Sequence, residues 1–226
     1  MKHITIVFSL LLFVGCSEKK EYTPIDPTKV REQLMAYGDK NPENEVLIET
    51  EFGAIRVRLY DDTPLHRANF IKNIKEGVYD DATFYRVISQ FMVQAGIYPR
   101  ELGYTIPAEI TPKYIHKKGA LAMARSDEDN PDYESSSSEF FIVQGSRYAD
   151  YQVETDMENF GLQLTPEQKE TYMTAGGYMS LDQRYTTFGE VIEGLEVIDK
   201  IAAVKTHDGD KPLRPIKVTV RIAEKG

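Results

Sequence analysis

Tryptophan is absent from this chain, cysteine occurs once, and only four histidines are spread through 226 residues. The lone cysteine, Cys16, excludes a disulfide framework and a thiolate-bound zinc site. The histidines, at 3, 66, 116 and 207, fall at no spacing that would bring two of them to one metal. There is no Gly-x-Ser-x-Gly elbow, no His-Glu-x-x-His pair and no phosphate loop. Hydrolase and nucleotide-dependent chemistries therefore lack their residues. Positive charge is also short, with 27 Lys and Arg against 36 Asp and Glu and a net charge of −9. Such a chain repels phosphate backbones, and no basic stripe offsets this, so nucleic acid is not an expected partner. Only one long apolar run exists, Ile4–Val14, and it is shorter than the roughly 20 residues that a membrane-spanning helix needs.

That run follows Lys2, has no polar face, and ends at Gly15-Cys16. Its length and flanks suit the hydrophobic region of an export signal. The stretch Leu12-Phe13-Val14-Gly15-Cys16 resembles the lipobox of bacterial lipoproteins, with Phe13 where that pattern prefers Leu. The resemblance implies cleavage before Cys16, acylation of Cys16 and residence in the bacterial cell envelope. Ser17 rather than Asp at the next position points to the outer membrane, facing the periplasm. Lack of any further cysteine suits an oxidising compartment. Two or more acyl chains would hold the protein on a membrane without a transmembrane helix. The expected organisation is a signal peptide over 1–15, a polar tether over 16–44 and one domain over 45–226.

The tether carries prolines at 24, 27 and 42 and one short helix around Val30–Tyr37. Regular patterning starts at Glu45. Val46 and Ile48, then Ile55, Val57 and Leu59, alternate with polar residues around Gly53, which predicts a hairpin with one buried face. Thr63-Pro64 opens a helix, with Thr63 as N-cap, and Gly77 ends it. Strands are expected over Thr83–Ile88, Phe91–Gln94, Ala120–Ala124, Glu139–Val143 and Tyr185–Val191, with a helix over Leu195–Ala202. Ile216, Val218, Val220 and Ile222 alternate again at the end. Between about 145 and 177 lies a polar insertion in which Thr165-Pro166-Glu167-Gln168 starts a capped helix. Many short strands with two core-facing helices predict a mainly β fold, an antiparallel barrel with helices at its ends.

The informative segment is Phe84-Tyr85-Arg86-Val87-Ile88-Ser89-Gln90-Phe91-Met92-Val93-Gln94-Ala95-Gly96. Strand alternation places Phe84, Arg86 and Ile88 on one face, and Met92 and Gln94 on one face of the next strand. A guanidinium rising from an apolar face must be paired or used, because burying it alone is costly. By itself this pattern fits an arginine that merely pairs with a carboxylate at a barrel mouth.

The segment is similar to the signature of the cyclophilin family, whose members read Phe-His-Arg-Val/Ile-Ile-Pro-Gly-Phe-Met-x-Gln-Gly-Gly. Further matches follow in the family's order: Gly119-Ala120-Leu121-Ala122-Met123-Ala124, Ser138-Glu139-Phe140-Phe141-Ile142, Leu181-Asp182 and Phe188-Gly189-Glu190-Val191. Five ordered motifs over Glu45–Ile222 are a specific signal. The resemblance implies a closed eight-stranded antiparallel β-barrel capped by two α-helices, and peptidyl-prolyl cis–trans isomerase activity without a cofactor. It makes Arg86 the catalytic arginine. Phe91, Met92, Phe141 and Leu181 would line a proline pocket, and Gln94 would orient the arginine. Ala124, Arg125 and Glu139 would edge the groove for the flanking peptide, with Tyr185 at a position often held by His. The partners implied are proline-containing segments of unfolded or flexible exported proteins, met by a monomer.

Several positions depart from the family pattern. Tyr85 replaces His beside the arginine, which matters little to the mechanism. Ser180 stands where Trp or His is usual, lowering one wall. Arg125 and Glu139 replace Asn and Gln, and would form either a partial ion pair at the rim or two independent charges. The alternative function is a non-catalytic peptide-binding chaperone or assembly module on the same fold. Retention of Arg86 with its neighbours favours the enzyme.

Overall fold

In the hairpin, Val46 lies opposite Val57 and Ile48 opposite Ile55, and all four are buried. The alternation in the sequence is thus the alternation of an inner and an outer barrel face. The computed structural model describes residues 22–97 and 102–224, so Cys16 and the export signal lie outside the described residues. The elements in chain order are α1 (Val30–Lys40), β1 (Glu45–Thr50), β2 (Gly53–Leu59), α2 (Pro64–Lys75), β3 (Thr83–Ile88) and β4 (Met92–Gly96). Next come β5 (Thr105–Ile106), β6 (Ala120–Met123), β7 (Ser135–Ser136), β8 (Glu139–Val143), α3 (Asp150–Phe160) and α4 (Pro166–Thr174). The chain closes with β9 (Thr187–Glu193), α5 (Leu195–Ala202), β10 (Ile216–Lys217) and β11 (Thr219–Ile222).

Nine strands form one antiparallel sheet in the order β10-β3-β4-β8-β6-β9-β2-β1-β11, and β5 and β7 pair separately. The count exceeds the expected eight because the last strand is broken. Its first part pairs with β3 and its second with β1. Between them the Val218 N–H donates to the Ala82 carbonyl at 3.0 Å. One continuous segment therefore serves both edges of the sheet and nearly closes it between β3 and β1. Phe70, Tyr79, Phe84, Phe140 and Phe188 fill the interior with Val46, Ile48, Ile55 and Val57. Helices α2 and α5 cover this core with Leu65, Phe70 and Ile71 and with Val197, Ile198 and Ile201.

Two local readings change in three dimensions. Thr63 precedes α2, but its side chain makes no cap bond and its hydroxyl turns to the Tyr60 carbonyl. Instead the Glu109 carboxylate, 43 residues away, accepts from the Leu65 and His66 N–H groups at 3.0 Å each. A charged acceptor at a helix N-terminus satisfies orphan donors and suits the dipole, so a remote residue does the capping. The second change concerns the expected tether. Ile25, Val30 and Leu34 belong to the barrel's main core, and α1 extends to Lys40. Buried Lys72 donates to the Thr23 carbonyl and to Glu76, both at 2.6 Å. The packed domain thus reaches back at least to residue 23, because apolar residues at 25, 30 and 34 found a groove that a polar stretch conceals.

The insertion holds two helices. Its neck is a backbone crossing in which Gly177 bridges both Ser146 and Lys117. A Cβ on Gly145 would sit 2.3 Å from the Gly177 carbonyl oxygen, so only glycine permits that approach. Thr165 and Gln168 exchange side-chain bonds with each other's N–H at 3.2 and 2.9 Å, the reciprocal cap that starts α4. Helix α3 has only half of such a cap: the Ala149 N–H donates to the Gln152 side chain at 2.8 Å, but Ala149 has no side-chain acceptor to return it, and Val153 is the helix's only buried residue.

Candidate active site

The site is a row of side chains on the outer face of the barrel. Arg86 on β3 lies opposite Gln94 on β4, Gln94 opposite Phe141 on β8, and Phe141 opposite Ala122 on β6. In the next row Ile88 faces Met92 and Met92 faces Val143. Met92, Ala120, Ala122, Ala124, Phe141, Val143 and Leu181 form an apolar cluster, with Ile88, Phe91 and Tyr185 against it, separate from the barrel interior. The alanines of β6 matter here: small side chains leave room above the sheet. Arg86, Phe91, Met92, Gln94, Ala124, Arg125, Phe141, Leu181 and Tyr185 line one cavity of about 160 Å³ together with Asp127. Glu139 is the one expected groove residue outside that lining.

The face reading of β3 is corrected by a bulge. Phe84 pairs with Ala95 and Arg86 with Gln94, which leaves Tyr85 as an extra residue. Phe84 and Val87 therefore enter the interior, while Arg86 and Ile88 point outward. Without the inserted residue, Phe84 and Arg86 would share a face. The bulge also brings the Tyr85 hydroxyl to the site, where Gln94 Nε2 donates to it at 2.5 Å. The other end of that amide, Oε1, accepts from Arg86 Nη1 at 3.4 Å. Burial, and then the neighbouring Glu139 carboxylate, raise the Tyr85 pKa above the ordinary phenol range, so the hydroxyl keeps its proton. Glu139, Tyr85, Gln94 and Arg86 thus form a polar line that orients the guanidinium. On the other side Arg86 Nε lies 3.5 Å from Asp210 Oδ2, with the arginine side chain 42% exposed.

The opposite rim is built on Arg125, whose side chain is 2% exposed. Its guanidinium lies 4.6 Å from the ring centres of both Tyr133 and Tyr185. Nε donates to the Arg184 carbonyl at 2.9 Å and Nη1 to the Ser126 carbonyl at 3.2 Å. Its carboxylate partner is Asp127 at 2.9 Å, not Glu139, which is engaged at Tyr85. Two residues of loop carry Asp127 back over the guanidinium, whereas Glu139 is drawn across its strand to the bulge. The Tyr185 hydroxyl also reaches Asp127, at 3.3 Å. A double-mutant cycle of Arg125→Asn with Asp127→Asn is expected to show a coupling on the order of 1 kcal/mol in urea unfolding, reduced by salt because Asp127 is 66% exposed. A larger coupling in the Arg125→Asn, Glu139→Gln cycle would overturn this assignment.

Sequence reasoning missed three residues at this site. Tyr85 has no signal in the sequence, because only the bulge turns it toward the outer row. Asp127 had a faint signal in its closeness to Arg125 along the chain. Asp210 is 124 residues from Arg86 and had none.

Residues 45–222 match the family model described as cyclophilin-type peptidyl-prolyl cis–trans isomerase. The chain belongs to the cyclophilin family. This cyclophilin is 32% identical over 196 residues to a Staphylococcus saprophyticus protein named as a peptidyl-prolyl cis–trans isomerase, covering 80% of this chain and 93% of that one. It is 34% identical over 182 residues to a Streptococcus pyogenes protein named as a bifunctional phosphatase/peptidyl-prolyl cis–trans isomerase, covering 74% of this chain and 36% of that longer protein. Among solved structures, a Cryptosporidium parvum cyclophilin has a TM-score of 0.61 at 21% identity, covering 81% of this chain and 99% of that one. The same protein was solved in the presence of the dipeptide Ala-Pro, with a TM-score of 0.59. The cyclophilin described here is a peptidyl-prolyl cis–trans isomerase with the family's nearly closed barrel.

Proposed function

We propose that this cyclophilin isomerises X-Pro bonds of exported proteins, with Arg86 as its catalytic residue, while held on a membrane by a lipid on Cys16. The observation that carries the catalytic part is a guanidinium at the edge of an apolar cavity, steadied by Gln94 and Asp210 and still 42% exposed. Amide resonance makes uncatalysed X-Pro exchange take tens to hundreds of seconds. No covalent bond breaks in the reaction, so the site needs no nucleophile. Twisting the C–N bond localises a lone pair on the proline nitrogen. A guanidinium donor placed there bonds the twisted state and not the planar one, which is selective transition-state stabilisation. Phe91, Met92, Phe141 and Leu181 would hold the proline ring while the preceding carbonyl rotates. Ala124, Arg125, Glu139 and Tyr185 would border the flanking residues. Shortening a half-minute event to under a millisecond takes roughly 6 kcal/mol, within reach of one charge-assisted bond plus orientation. A protease-coupled isomerisation assay on Ala-Pro peptides tests this. Peptide binding without acceleration would favour the non-catalytic binding module.

The envelope part rests on Lys2, the apolar run Ile4–Val14 and the small residue before Cys16. Thr23 is already clamped to α2. An acyl anchor at Cys16 would therefore keep the domain within about 25 Å of the bilayer, the contour length of the intervening residues. Its clients would be chains emerging at that surface. Cys16→Ser is expected to shift the protein from the membrane fraction to a soluble or unprocessed form. Recovery of the variant in the membrane fraction at the mature mass would remove the anchor from the account.

A further inference from the structure

Behind the cavity wall runs a buried polar chain that the isomerisation itself does not use. His116, Tyr172, Asp182 and Thr187 are all buried. Asp182 Oδ1 accepts from the His116 N–H at 2.7 Å and lies 2.9 Å from His116 Nδ1. Asp182 Oδ2 accepts from the Tyr172 hydroxyl at 2.6 Å. A carboxylate can only accept, so His116 Nδ1 is the donor to Asp182, and Nε2 lies 3.2 Å from the Thr187 hydroxyl. Burial, and then the Asp182 carboxylate, hold the Tyr172 phenol protonated far above neutral pH, so it remains a donor.

The two ends of this chain belong to different parts of the molecule. Tyr172 sits on α4 and anchors the insertion's own apolar cluster with Val153, Leu162, Ile115 and Met179. His116 stacks on Phe141, with ring centres 6.1 Å apart and planes at 14°, and meets Tyr185 edge-on at 6.5 Å. Asp182 directly follows Leu181. Phe141, Leu181 and Tyr185 all line the cavity. A hydroxyl on the insertion thus bonds Asp182, which in turn bonds His116, the ring stacked on Phe141, and directly follows Leu181 in the chain.

We infer that Tyr172 is a positioning residue for the proline pocket, and that the insertion serves to set the spacing between the pocket's Phe141 floor and its Leu181 wall. The inference rests on the cavity being the peptide site. Arg86 lies at the far end of the row and takes no part in this chain, so the effect should fall on binding rather than on turnover.

Tyr172→Phe in the full chain keeps the ring and removes only the hydroxyl, leaving Asp182 Oδ2 buried without its donor. The expected result is a KM and an equilibrium peptide Kd raised about fivefold or more, with kcat within about twofold of the parent. The Leu181 methyl resonances should shift in the peptide-free protein, a readout that holds even if the cavity were not the isomerase site. Val46→Ala loosens the barrel interior without touching the insertion or the polar chain, and should lower Tm while leaving KM and the Leu181 resonances in place. If Tyr172→Phe lowered Tm but left KM and the Leu181 methyls unchanged, the residue would be structural only and the inference wrong. Equal changes in KM from Val46→Ala at a matched loss of Tm would also overturn it, since general loosening would then suffice.

Discussion

Arg86→Ala is expected to lower kcat and kcat/KM by similar factors, on the order of 10²-fold or more, while peptide Kd changes by less than about threefold. The asymmetry follows from where the guanidinium stands. It belongs to the outer row, not to the barrel core, and its partners are Gln94 and Asp210 at 3.4 and 3.5 Å. Removing it leaves the apolar pocket intact, so the planar ground state loses little. On the proposed mechanism, what is lost is the donor to a lone pair that exists only in the twisted state. Arg86→Lys should recover only part of the rate. An ammonium carries the charge but lacks the planar fork that donates to Gln94 and to the imide nitrogen at once. Single-turnover exchange measured by NMR, beside calorimetric peptide binding, separates the two effects. A folded Arg86→Ala protein with near-parent turnover would show that the catalytic assignment is wrong, even with the fold unchanged.

Two adjacent phenylalanines should respond in opposite ways. Phe140 is 0% exposed and meets Phe70 and Tyr79 edge-on, at 5.1 and 5.5 Å between ring centres. Phe140→Ala should cost about 3–5 kcal/mol of folding stability, a large share of the roughly 5–15 kcal/mol a domain possesses. The fraction that stays folded should bind peptide nearly as the parent does. Phe141 is 4% exposed but faces outward over the cavity. Phe141→Ala removes the floor on which a proline ring would rest, a contact of about 1.5–3 kcal/mol. Peptide affinity should fall ten- to hundredfold, with a smaller loss of stability because the space opens to solvent. Urea unfolding beside peptide titration decides the matter. If the stability loss fell on Phe141 and the binding loss on Phe140, the inner and outer faces of β8 would have been assigned the wrong way round.

The same parity explains how much of the site was legible. Between β4 and β8 the ladder is regular over the residues that matter. Alternation alone therefore separated Met92 and Gln94 from Val93, and Phe141 from Phe140. On β3 a single inserted residue at Tyr85 reversed the side on which Phe84 falls, and nothing in the local composition announces it. The rim shows the other kind of failure. Arg125 was identified as a rim residue, yet its partner Asp127 is chosen by how the loop folds over two tyrosine rings.

The residues that gather at the cavity were legible only through the resemblance to the cyclophilin signature, but by itself the sequence determined the alternating core of the barrel and the capped start of α4. Each of these depends on periods of two or 3.6 residues, or on caps spanning three, which a chain expresses locally. The tertiary structure alone decided the bulge at Tyr85, the capping of α2 by Glu109, the docking of residues 25–40, the Asp210 contact to Arg86 and the chain from Tyr172 to His116. Those contacts join residues from about ten to more than a hundred positions apart, and they form because a buried donor or charge must find a partner wherever the fold brings one.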